Sequence, residues 1–279
     1  MTDEIKREHT YHAEASVLSG DLRLPLNQKI EPQAFAKLSD HGGYLAQNAS
    51  AYRLEGAISF RSAYTQVAGN VDPKRGHGWN TLTTAVVEGL NVMDVVTADR
   101  VVGQISTDHP PVGYVPKVTF LGTRFDNLRI AGHPVKLDLD LHVVGPKPDG
   151  DAPYTADSAF MGRVAAQYQR IRSHQDLPAE VSAHYNQVPS ASANLESVEC
   201  SLVNQTDGAY PGRSFGHVID VPNFGKVYLA VLRLEHKDFE AGIPKQTTIG
   251  LTMMKLQMGC IANGTASISP MVTNGMSRP

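Results

Sequence analysis

No window of the chain holds 18 consecutive apolar residues, so nothing in it spans a bilayer as a helix. The stretch from Met1 to Thr10 is charged and lacks an apolar h-region, which reads as the absence of a secretory signal. On that reading the protein is cytoplasmic if the chain is complete as given, and exported if a signal peptide has been removed. Cysteine is scarce as well. Cys200 and Cys260 cannot make a metal site alone, and a disulfide between them would need an oxidising compartment. Cys200 alternates with Val198 and Leu202, and Cys260 with Met258 and Ala262, so both read as buried free thiols on apolar strand faces. Charge of one sign is missing too: 25 Lys and Arg against 28 Asp and Glu leave a net charge of -3. The basic residues are dispersed, which argues against a nucleic-acid partner. There is no Gly-rich phosphate loop, no Cys-x-x-Cys and no His-Glu-x-x-His, so NTPase, Rossmann and zincin chemistry are set aside and no cofactor is expected.

What the chain does contain is alternation. Val135, Leu137, Leu139, Leu141 and Val143 interleave with Lys136, Asp138, Asp140 and His142, which puts every apolar group on one face of an extended strand. Tyr52, Leu54, Ile58 and Phe60 do the same against Arg53, Glu55, Ser59 and Arg61. Between Thr81 and Ser106 valines fall on both faces, which fits strands buried on two sides and broken near Gly89 and Ala98-Asp99. Strand patterns return at 197–204, 215–221, 226–236 and 247–269, the last with Met253, Met254 and Met258 as core filler.

The period changes once. Phe160, Met161, Val164, Ala165, Tyr168 and Ile171 fall at helical spacing behind Asp157 or Ser158 as N-cap, and a shorter helix follows over 178–185. The 279 residues therefore divide into an irregular leader with a short strand (1–45), one β domain (46–270) interrupted by a helical insertion (157–185), and a disordered tail (271–279). The insertion reads as a cover over a sheet face, with a lid or partner surface as the other roles open to it. The predicted fold is all-β: an antiparallel sandwich or flattened barrel.

Four blocks carry a family resemblance. The run Ser50-Ala51-Tyr52-Arg53-Leu54-Glu55-Gly56 resembles the "SAYGL" opening of the bacterial choice-of-anchor P β-domains. Residues 85–101 resemble their "vaGlnllgGlvtAdaV" block, 123–135 their "stfsgLtVnGtpV" hairpin, and 221–229 their "lpglGtVtL" strand. The blocks occur in order, with the helical stretch 157–185 as an addition. The resemblance implies an all-β, usually exported domain of unassigned activity, and it supplies no catalytic residues.

The candidate chemistry is thin. Gly212-Arg213-Ser214-Phe215-Gly216 matches Gly-x-Ser-x-Gly, but a nucleophile elbow needs a strand before the serine and a helix after it, whereas Pro211 precedes and a strand follows. Glu8, His9, His12 and Glu14 gather imidazoles and carboxylates in what reads as a solvated N-terminal segment. His77, Trp79, Asp99, Arg100, Asp108 and His109 form the more informative set. Here a charge in the most apolar stretch must pair, which suggests an Asp99–Arg100 pair with Trp79 as a cap. If the protein is an enzyme, His77 or His109 is the general acid or base, Asp99 and Arg100 complete the site, and Trp79 binds. Two functions follow. One is a non-catalytic β-domain that binds another protein or self-associates through unpaired strand edges. The other is a barrel-type isomerase or cyclase holding an apolar small molecule in an internal cavity.

Overall fold

Alternating segments joined by short turns pair with their sequence neighbours, because an antiparallel ladder needs only a tight connection. In the computed structural model, which describes residues 7–24, 27–54, 56–73, 78–191, 195–238, 245–259 and 263–278, they build two ten-stranded antiparallel sheets. The first is centred on the strands Trp79–Val92 and Val96–His109. Ser62–Val71 and then the edge strand Gly43–Ala49 extend it on one side. The second is centred on Gly225–Lys237, Gln246–Gly259 and Asn263–Thr273. The sheets stack face to face and neither closes on itself, so the fold is an all-β sandwich and the flattened barrel is discarded.

The layer between the sheets is apolar in its middle. Ala85, Val87, Val101 and Ile105 of the first sheet are buried in one core with Leu251, Met253 and Met271 of the second. The sheets pack closely at Gly103, where a Cβ would collide with Met271 and stand 2.8 Å from Met253 Cγ. Toward one end the same inward positions turn polar. Thr81 pairs with Thr107, Trp79 with His109, Thr247 with His236, and Ile249 with Thr273. A two-stranded ribbon, Glu8–Thr10 against Met276–Arg278, lies over this end and joins the two termini.

Several expectations change. The leader is not irregular: strands from Glu8 onward, including Ala13–Ala15, Leu18–Leu24 and Gln28–Gln33, belong to the ribbon and the second sheet. The tail is likewise ordered through Arg278 by pairing with Glu8. Trp79–Val92 runs unbroken past Gly89, and the chain reverses instead at Met93 and Asp94, both at positive φ as a tight hairpin requires. The segment 52–61 is a hairpin of two short strands, Tyr52–Leu54 and Ile58–Phe60. The most regular alternation, 135–143, is strand only over Lys136–Leu139, because a register shift at Asp138/Leu139 turns the chain away.

The helical insertion consists of α1 (Ser158–Arg172) and α2 (Ala179–His184). Asp157 caps α1 by accepting the Phe160 N–H at 2.8 Å. The apolar stripe of α1 is buried as its spacing predicts, with Phe160, Met161, Val164, Tyr168 and Ile171 in the core. Gln167 lies on the same face and is buried, and it plays the part of a missing strand neighbour. Its side-chain amide donates to Ser201 O at 2.8 Å and accepts from Ser201 N–H at 3.0 Å. This satisfies the backbone where the Ser197–Ser201 strand ends.

Candidate functional site

Ten of the twelve buried side-chain polar atoms that lack a hydrogen-bond partner among the described residues belong to the polar end of the sandwich and its ribbon. They include His9 Nε2, His109 Nε2, both ring nitrogens of His236, and the hydroxyls of Thr81, Thr83, Thr107 and Thr247. Native folds leave few such groups, so their concentration in one place marks the site.

Its centre is an aromatic cluster. Because Trp79 and His109 are register partners on neighbouring strands, their rings project from the same face. His9 enters from the ribbon and stacks on Trp79 with ring centroids 4.9 Å apart and planes 10° from parallel. Tyr11 meets His9 edge-on at 4.6 Å, and His109 lies tilted at 4.6 Å. His9 Nδ1 is hydrogen-bonded to Ser277 Oγ at 3.0 Å, which ties the two ribbon strands together. A Cβ on Gly275 would stand 2.8 Å from His9 Nε2 and 3.1 Å from His109 Nε2, so both nitrogens crowd the same backbone position.

Burial pushes the His9 imidazole down to about 4, and burial plus the neighbouring His9 pushes His109 down to about 3. Both rings are therefore neutral near pH 7. In front of the cluster lies an open concavity of about 750 Å3 lined by Glu8, Asp40, His41, Asn70, Trp79 and Arg278 among others. His109 also borders a second depression of about 490 Å3, beside Asp108 and Lys117. Two imidazole nitrogens fall short of the three or four ligands of a metal centre, and no cluster of three metal-ligating side chains occurs among the described residues.

The sequence set divides. Trp79 and His109 meet, whereas Arg100 is nine residues from His109 along the same strand, roughly 30 Å away at strand rise. Arg100 does not pair with Asp99: its Nε lies 3.6 Å from Glu88 Oε1, its register partner, and exposed Asp99 accepts from Asn127 at 2.8 Å. Adjacent residues on a strand face opposite ways, which is why the expected pair does not form. His77 lies outside the described residues, as does Cys260, while Cys200 is a buried free thiol. Ser214 sits in a two-strand hairpin, Arg213–Phe215 with Val218–Val221, with no helix behind it and so no elbow. The segment expected to be solvated instead buries Tyr11 and half-buries His9, while His12 bonds Glu14 at 3.2 Å.

A second polar cluster, which has no motif to announce it, sits under the helical insertion. Tyr185 Oη and His217 Nε2 are 2.8 Å apart and both side chains are buried. Tyr168 packs edge-on against Tyr185 at 4.9 Å. At the margin His184 Nε2 bonds Glu199 Oε1 at 2.8 Å, and Glu180 at the start of α2 pairs with Lys226. Burial pushes Tyr185 up and His217 down to about 4, the charge of Glu199 opposing the latter. For Glu199 burial acts upward, but the hydrogen bond and charge of His184 outweigh it and hold the carboxyl below its usual range. These contacts clasp α2 to the second sheet.

No curated protein and no solved structure matches the chain. One family model does, over residues 9–235, a span that takes in the first sheet, the insertion and all four rings of the aromatic cluster. On that match the chain belongs to the family described as Domain of unknown function (DUF8256).

Proposed function

We propose that the protein is a non-catalytic β-domain that works by self-association, and that the edge strand Gly43–Ala49 is where a second copy pairs. The observation that carries this reading is the character of that edge. The strand is seven residues long and, among the described residues, pairs with Ser62–Val71 on one side only. It has no charge and no proline, with Tyr44 66% and Leu45 37% exposed. Other edges are defended in the ways natural sheets use. Gln28–Gln33 carries Lys29, Glu31 and Pro32, His133–Pro134 ends in proline, and Tyr52–Leu54 and Arg213–Phe215 are three residues long with an arginine.

A second copy is the occupant best suited to the strand. Antiparallel pairing about a two-fold axis brings a strand against itself, and an uncharged strand brings no like charges into register. A surface or structural role and kinship with the choice-of-anchor P domains belong to the same proposal. The alternative, a barrel-type enzyme around an apolar small molecule, has less to rest on: the sheets are open, and Met253 and Met271 pack against Gly103.

The test is native mass spectrometry of the full chain across a concentration series, beside a Leu45→Lys/Gln47→Lys variant. The expected result is dimers or larger assemblies of 30.2 kDa units that dissociate in the variant with its melting temperature unchanged. A wild-type monomer at every concentration would overturn the proposal.

A further inference from the structure

We propose that His9 and His109 form a proton-sensitive latch: when both imidazoles are protonated, the ribbon of residues 8–10 and 276–278 comes away from the end of the sandwich. This goes beyond self-association and uses a different part of the molecule.

The argument starts from partners. An imidazolium needs an acceptor for each of its two N–H groups. His9 has one, Ser277 Oγ, and the Nε2 atoms of both rings are buried with none. With ring centroids 4.6 Å apart, two protonated rings would also repel each other. Among the described residues the surroundings offer no rescue. Trp79, Tyr11 and Ser277 face the rings without charge. On the ribbon Glu8 is the register partner of Arg278, and beside His109 Asp108 is the register partner of Lys117. Asp40 and His41 line the outer concavity, and Asp72 and Lys117 the depression beside His109. Among the described residues none of these makes an ion pair with either ring, unlike His12 with Glu14 or His184 with Glu199. The closed ribbon therefore excludes protons, while the open one lets both rings reach water.

The sign follows. The open rings titrate near their ordinary 6.5, and the closed ones near 4 and 3, so the open form binds more protons throughout that window. Closure is intact above 6.5 and is lost progressively below it. Well below 6.5 each imidazole raises the opening constant by up to about tenfold per pH unit, and the two together by up to about a hundredfold, with a shallower slope near 6.5 itself. Release is local because the ribbon holds only three register pairs and belongs to neither ten-stranded sheet. At the end it uncovers are the hydroxyls of Thr81, Thr83, Thr107 and Thr247.

The experiment is native-state hydrogen exchange on the full chain between neutral pH and pH 5, corrected for intrinsic exchange, in wild type, His9→Gln, His109→Gln and the double variant. Fluorescence of Trp79, the only tryptophan, reports the stack with His9 in parallel. Between pH 6 and pH 5, amides of residues 8–10 and 276–278 should open roughly fiftyfold more in wild type and about eightfold more in His9→Gln. In the double variant the steep response should be lost, with His236, which sits beside Asp238, left as a buried imidazole at this end. His9 is the more exposed ring, so His9→Gln decides the matter even if His109→Gln fails to fold. A wild-type ribbon indifferent to pH, or one with the same slope in His9→Gln, would overturn the proposal. So would an equal slope at amides of Gln246–Gly259, because acid would then be acting on the whole fold.

Discussion

Histidine is buried in two places in this molecule, and the two environments are built oppositely. Beneath the helical insertion, His217 has the Tyr185 hydroxyl at 2.8 Å and His184 has the Glu199 carboxylate at 2.8 Å. Beneath the terminal ribbon, His9 and His109 are packed among rings, with both Nε2 atoms unpartnered. Burial pulls three of these imidazoles, His9, His109 and His217, toward the neutral form to a similar degree. What differs is what each ring would lose if changed. A partnered ring is part of a clasp, and removing the partner strands a polar atom in the interior; His109 Nε2 has no such bond to lose, and His9 has the one to Ser277 at its Nδ1 only.

The largest expected effect breaks the clasp. Tyr185→Phe keeps the ring against Tyr168 but leaves His217 Nε2 buried without a partner, which costs about 1–3 kcal/mol. Urea unfolding of the variant against wild type measures it. A change near zero would mean that the two clusters are energetically alike and that the hydrogen bond at α2 does not distinguish them.

The distinction between the clusters was not legible in the sequence, though much of the frame was. Alternation over 226–236 and 247–269 marks the strands that became Gly225–Lys237, Gln246–Gly259 and Asn263–Thr273, because a half-buried strand records its two faces in its residues. Helical spacing and Asp157 located α1 for the same reason. Turns were harder. The reversal at Met93-Asp94 carries no Gly and no Asn at its centre, while Gly89, with φ of +64°, sits inside a continuous strand. His9 could not be placed at all, since the serine that holds it is 268 residues away along the chain. Trp79 and His109 stood out by residue type, and only the register of the two long strands brings them together.

A smaller effect sharpens the contrast at the surface. His184→Gln removes the imidazole hydrogen-bonded to Glu199 at a site where His184 is 40% exposed, so solvent screening limits the loss to about 0.2–1 kcal/mol at neutral pH. The pH dependence has a defined sign. Glu199 is held below its usual carboxylate range in the folded state, so the stability it contributes is present above the ordinary carboxylate value and is lost as pH falls through the depressed one. Wild type and His184→Gln should converge in stability once acidification protonates Glu199. A gap that persists below that range would place the stabilisation elsewhere than in this pair.

The smallest expected effect is at the unpartnered ring. His109→Leu replaces a buried imidazole whose Nε2 bonds to nothing with an aliphatic group, removing a desolvated polar atom and stranding no partner. Stability near neutral pH should therefore stay within about 1 kcal/mol of wild type, with any gain offset by imperfect packing against His9. Urea midpoints at pH 7 and pH 5 test both halves of the expectation: near equality at the first, and a smaller acid loss than wild type at the second. A His109→Leu protein destabilised as severely as Tyr185→Phe would mean that His109 is held by its contacts as firmly as His217 is by its hydrogen bond. The ring would then belong to the scaffold, and the contrast between the two clusters would collapse.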